Sequence, residues 1–267
     1  WENLMAGMKI AYEREMWAEV LGYSEALTEA WFARGRYTEA RQGYEWAVAA
    51  AETTDAPLQQ ANALLHWGRA CLEQGDNTEA RNLFHRCLHL YQNQNELMGL
   101  AWCQVWLAHS LLEGITSRDD IAAVIRLLQS SESLFQQLQN ERGEAEAIQG
   151  QARAYYFMAD YAKARVSAKQ ALEKQRLCQD KRGELVTLRL LSQIALVPES
   201  RDWQLSATCR WQALALSEAL QDQGEIAVSL GMVAEIHLRQ DNLDEAMIAL
   251  TKSLAILQRI GAQRNIA

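Results

Sequence analysis

Apolar residues return along this chain at helical spacing, in blocks of about forty residues. Successive blocks carry the pairs Leu27 and Trp31, Trp67 and Cys71, Leu107 and Leu111, Gln151 and Tyr155, Leu191 and Ala195, and Val233 and His237. Inside each pair stands one small residue: Thr28, Gly68, Ala108, Ala152, Ser192 and Ala234, at intervals of 40, 40, 44, 40 and 42. A column held small while its neighbours are mostly apolar, Gln151 and His237 excepted, marks the place where two helices touch closely, so each block begins with a helix that buries one stripe.

A second helix follows in each block. The phrase GRYTEAR at 35 to 41 comes back as GDNTEAR at 75 to 81, with Gly closing the first helix and Thr or Asp placed to cap the next. Ala40, Ala80, Ala164 and Ala246 then fall at a tight crossing, and Val124 and Ser206 take that column in the third and fifth blocks. There ITSRDD and VPESRD replace the usual turn, and Gly114 and Pro198 mark the breaks. Polar connectors, QNQNE, QNERGE, QDKRGE and QDQGE, separate the blocks. A lone helix pair cannot bury its apolar face, so the pairs must stack on one another. The expectation is an all-α solenoid of antiparallel helix pairs, about six units over residues 18–260, after a leading helix at 1–17. Residues 261–267 read as the start of a further unit.

Composition narrows the function classes. The net charge of −8 and pI near 5.3 argue against nucleic acid as a direct partner. No apolar run reaches the length of a membrane span, and the first residues lack the layout of a signal peptide, so the chain reads as cytoplasmic. Five cysteines, Cys71, Cys87, Cys103, Cys178 and Cys209, show no CxxC pair and read as buried thiols.

The small column, the TEAR turn and the alternating helices resemble the tetratricopeptide repeat (TPR), and the resemblance implies a right-handed superhelix. The period exceeds the usual thirty-four residues. With connectors carrying Arg142-Gly143 and Arg182-Gly183, it is similar to the repeats of kinesin light chains and of bacterial signalling ATPases of the STAND (NB-ARC) type. Glu2-Asn3-Leu4, followed by Trp31, Gly35, Glu39 and Trp46, resembles the junction from nucleotide-binding module to repeats in STAND ATPases and related large transcriptional regulators. The start inside an amphipathic helix and the ending GAQRNIA, which repeats a connector, are expected of a piece of a longer protein. No GxxxxGK[ST] is present, so any ATPase activity implied by the resemblance belongs to another module.

Candidate chemistry is sparse. His85 and His89 stand at i, i+4 with no obvious third metal ligand, the cysteines lie inside predicted helices, and Glu13, Glu15 and Glu19 read as a solvated face. No catalytic residue, metal or cofactor is assigned. The register projects a concave wall from the first helix of each unit. Its candidate ligand-binding residues are Glu29, Phe32, Arg69, Trp102, Val105, His109, Arg153, Tyr156, Arg189 and Gln193. Basic and hydrogen-bonding groups fall in the middle of that wall and carboxylates at its ends, which suits a protein or peptide that is acidic or carries carboxylates.

The function expected is therefore a non-catalytic interaction and sensor domain of a bacterial signal-transduction protein. It would bind a partner on its concave face and pass this to an adjacent NTPase or effector module. The alternative is a self-contained TPR peptide receptor or assembly scaffold with no coupled ATPase.

Overall fold

The computed structural model describes residues 2–114, 117–199 and 201–261. Among these it holds thirteen helices and no strand. After α1 (Glu2–Glu13) come α2 (Trp17–Ala33), α3 (Tyr37–Thr53), α4 (Pro57–Glu73), α5 (Asn77–Asn93), α6 (Leu97–Leu112) and α7 (Arg118–Gln137). The series continues with α8 (Glu141–Phe157), α9 (Tyr161–Leu177), α10 (Lys181–Ala195), α11 (Trp203–Ala219), α12 (Gln223–Arg239) and α13 (Leu243–Ile260). Even-numbered helices carry the Thr28 column and odd-numbered helices from α3 onward carry the Ala40 column. Beyond Gly261, the stretch read as a further unit lies outside the described residues, as does Trp1 of the leading segment.

The chain divides into two compact units, residues 1–150 and 151–267. In the first, α1 packs on α2 and α3, and the helices then pack in order, with α2 also touching α4, and α4 touching α6. Trp31, Tyr44, Phe84, Phe135 and Leu64 are wholly buried there. Each such side chain is worth about 2 kcal/mol of burial. The aromatic rings fit because glycine faces them: a Cβ on Gly43 would meet Trp31, and one on Gly68 would meet Phe84, each at 2.5 Å. The second unit has a finer-grained core of Ala152, Ala164, Ala168, Leu188, Leu191, Ile194 and Ala213. All six residues of the small column are buried, as are Ala40, Ala80, Val124, Ala164, Ser206 and Ala246.

Helix ends follow one recipe. Gly35 (φ +63°) and Gly75 (φ +80°) take the left-handed conformation, and Asp55, Asn95, Gln139, Gln179 and Gln221 adopt it at other junctions without glycine. The backbone then turns back, with Arg36 N–H donating to Trp31 O at 2.9 Å and Asp76 N–H to Cys71 O at 2.9 Å. These bonds satisfy carbonyls that a helix end leaves open. Asp76, Asp160, Asp180, Asp202 and Asp222 accept backbone N–H bonds at the start of the next helices. Thr38 does not cap: the residue before α3 is Arg36, and the Thr38 hydroxyl instead accepts from Gln74 at 2.9 Å.

That contact explains why the TEAR phrase keeps its arginine. Arg41 donates to Gln74 (2.9 Å) and Asp76 (3.3 Å) in the turn one block later, Arg81 reaches Glu113 O at 3.4 Å, and Arg165 reaches Asp202 at 2.9 Å. The recurring arginine ties one turn to the next.

Candidate functional site

In the first unit the even-numbered helices set a ladder of planar groups side by side. The Arg69 guanidinium of α4 lies over the Phe32 ring of α2 at 4.3 Å and over the Trp106 ring of α6 at 4.7 Å. Trp106 lies 5.6 Å from the His109 ring, whose Nε2 is 3.5 Å from a carboxylate oxygen of Glu146. Arg69 Nη1 also contacts His66 Nδ1 at 3.2 Å. Burial pulls the Arg69 pKa down, opposed by Tyr44 and by the carboxylates of Glu73, Glu29 and Glu146. Burial and the Arg69 charge lower His66 from 6.5 to about 3, so its imidazole stays neutral.

Beside the ladder opens a cavity of about 340 Å³ between α2, α3 and α4, lined among others by Glu25, Glu29, Tyr44, Asn62 and His66. Its floor is fixed by a chain of bonds. Tyr44 donates to Thr28 Oγ1 (2.9 Å), Thr28 donates to Ser24 O (2.7 Å), and Ser24 donates to Leu21 O (2.8 Å). Burial raises the Tyr44 hydroxyl well above its usual pKa, so it remains a donor. Asn62 accepts from Tyr91 at 2.7 Å, which aims its amide. Glu25 and Glu29 are exposed.

The projected residues thus divide. Phe32, Arg69 and His109 join one ladder, and Glu29 borders the cavity beside it. Val105 is wholly buried, so its place is in the core and not on an accessible wall. The physical reason is that α6 is covered by α5 and α7 and also by α4, so its exposed strip is narrower than the register projects. Trp102 is half-buried with its ring 5.0 Å from Phe135 of α7. In the second unit, Arg153 lies over Phe157 at 5.7 Å, Tyr156 packs near Phe157 and Tyr161, Arg189 is bonded to Glu225, and Gln193 is exposed.

Sequence reasoning missed Trp106 and His66. Trp106 follows Trp102 by four residues on one helix face, and that spacing was the available signal. It also missed that Cys87 and Cys103 come together, with Sγ atoms 2.7 Å apart, both buried; Cys178 is half-buried. His89 contacts Asn93, and no group of three or more metal-ligating side chains occurs among the described residues. No described helix is long and apolar enough to cross a membrane.

No protein-family model matches the chain, and no curated protein matches it by sequence. Solved structures do. It is similar to a Rap protein complexed with competence and sporulation factor (TM-score 0.71, 12% identity, 92% of this chain and 72% of that one). It is also similar to the Rap conjugation gene regulator of plasmid pLS20 in complex with the Phr* peptide (TM-score 0.72, 14% identity, 92% and 64%). A third likeness is to a STAND protein with a tetratricopeptide repeat sensor from Pyrococcus horikoshii (TM-score 0.57, 14% identity), of which the match covers 93% of this chain and 42% of that one. At these identities the likeness bears on architecture alone, and the architecture is that of a TPR-like array of helix pairs.

Proposed function

We propose that this chain is a non-catalytic interaction domain that binds a peptide or protein segment along the even-numbered helices of its first unit. The observation that carries the reading is the cavity at α2 to α4. It is open, it is bordered by the projected Glu29 and by Glu25 and Asn62, and its polar groups are held in place by the Tyr44, Thr28 and Tyr91 bonds. Such a mixture of fixed hydrogen-bonding groups and apolar wall is what an extended segment needs for orientation and affinity. The two Rap structures support the same reading, since both are described as complexes with a factor or peptide.

The accessible charges revise the expected partner in the first unit. Arg69 is engaged by two rings and His66, whereas Glu25 and Glu29 face solvent, so a basic side chain fits there better than a carboxylate. In the second unit Arg189 is likewise engaged, by Glu225. Coupling to an adjacent NTPase is the finer reading, supported by the Glu2-Asn3-Leu4 junction and the STAND likeness.

An array of randomised hexapeptides probed with the full chain tests the binding. Captured peptides should be rich in Arg and Lys, and the double substitution Glu25→Gln, Glu29→Gln should weaken their binding about tenfold. An array that captures nothing, or capture unchanged in the double variant, would overturn the proposal.

A further inference from the structure

The odd-numbered helices from α3 to α11 carry a core column four residues after their small residue: Tyr44, Phe84, Leu128, Ala168 and then Arg210. The first four are buried apolar or aromatic side chains, and Arg210 is just as inaccessible at 5% exposed. A guanidinium in a core position carries a large desolvation cost unless it is paired. Its pairing is partial. Nη1 donates to Met232 O (2.8 Å) and to Glu235 Oε2 (2.8 Å), while the buried Nε has no partner.

Glu235 serves a second guanidinium as well. Its other oxygen accepts from Arg239 Nε (3.2 Å) and Nη2 (2.9 Å). Burial pushes the Glu235 carboxyl up, but the hydrogen bonds from Arg239 and Arg210 outweigh this and hold it below the usual carboxylate range. Two cations therefore share one anion. Arg239 is also stacked on the Trp203 ring at 4.0 Å, and Trp203 remains 44% exposed.

Between α11 and α12 these groups border a cavity of about 390 Å³, lined chiefly by Trp203, Ser206, Ala207, Arg210, Ile236 and Arg239. Both arginines are among its lining residues, and Glu235, whose carboxylate they share, is not. The space has an apolar wall, an exposed aromatic face and an excess of positive charge, which is the composition of a pocket for an anionic ligand with an apolar body.

We propose that this cavity binds a carboxylate carried on an apolar or aromatic group, with the carboxylate against Arg210 and Arg239 and the apolar part on Trp203, Ala207 and Ile236. The planar fork of a guanidinium matches a carboxylate's two oxygens. Either a free carboxylic acid or the C-terminal residue of a peptide supplies this chemistry. The site uses helices other than those of the Glu25 and Glu29 cavity, so the two stand or fall separately.

Titration calorimetry on the full chain with N-acetyl-phenylalanine and with its amide tests the idea. A peptide ending in Phe, as free acid and as amide, forms the second arm. The acid form should bind about tenfold or more tighter than the amide in at least one arm, the value of a lost charge-assisted bond. The tighter arm identifies the source. Arg239→Gln leaves the Arg210–Glu235 pair in place and should lower acid binding about tenfold, as should Trp203→Ala, while Glu25→Gln should not. Acid and amide binding equally, no heat from either acid at millimolar concentration, or binding unaffected by Arg239→Gln in a folded variant would each overturn the proposal.

Discussion

His66 is the residue at which the interior of the first unit meets pH. Its ring is stacked on Tyr44 (centroids 5.8 Å apart) and touches Arg69, so a proton there would add charge where burial and a guanidinium both oppose it. The folded pKa of about 3 lies below the ordinary 6.5. An unfolded chain takes up the proton as pH falls past 6.5 and the folded chain does not until about 3, so stability is full above 6.5 and declines through that window. From pH 8 to pH 5 the loss from this group is about 2 kcal/mol. Urea unfolding of the parent chain and of His66→Gln at both pH values checks this: the parent should lose about 2 kcal/mol more than the variant. Equal losses would show that the ring is already charged or freely hydrated in the fold. Nothing in the sequence marked this histidine, because its setting is made by Tyr44 from another helix.

Two glycines separate helix propensity from packing at the scale of the element. Gly22 lies in α2 with nothing within 4 Å of where a Cβ would stand, and Gly68 lies in α4 with Phe84 at 2.5 Å. Alanine gains about 1 kcal/mol over glycine in a helix interior. Gly22→Ala should therefore stabilise by up to about 1 kcal/mol, whereas in Gly68→Ala an overpacking cost of about 1–3 kcal/mol should outweigh the gain. Thermal melts of the two variants give the comparison, and a neutral Gly68→Ala would mean that Phe84 moves aside cheaply. The column containing Gly68 was legible because packing restricts it in every unit. The wall residues were less so: a register gives the direction of a side chain, but Val105 is buried by neighbours that the register leaves out, and Arg189 meets Glu225 across 36 residues. The arginine of the TEAR phrase was visible as a repeat, yet its partner in the following turn was not, since side-chain reach across a stack leaves no local periodicity.

Within each unit, packing runs between helices that are neighbours in sequence, and in the first unit also between helices one further on. In such an arrangement stability is close to a sum of local and nearest-neighbour terms, and a defect is felt mainly where it is made. Gly68→Ala is therefore a local probe as well as a packing test. The strain lies between α4 and α5, which also pack on α3 and α6, while α10, α11 and α12 form their own sequence of contacts. Amide hydrogen exchange of the variant should quicken in α3 to α6, with protection in α10 to α12 nearly unchanged, because sub-global openings carry their own free energies. A uniform loss of protection over all thirteen helices would mean that the chain opens as one cooperative body. In that event the cavities at α2 to α4 and at α11 and α12 would share a single folding equilibrium, and a ligand at either would protect both; under the local scheme each ligand protects only the helices around it.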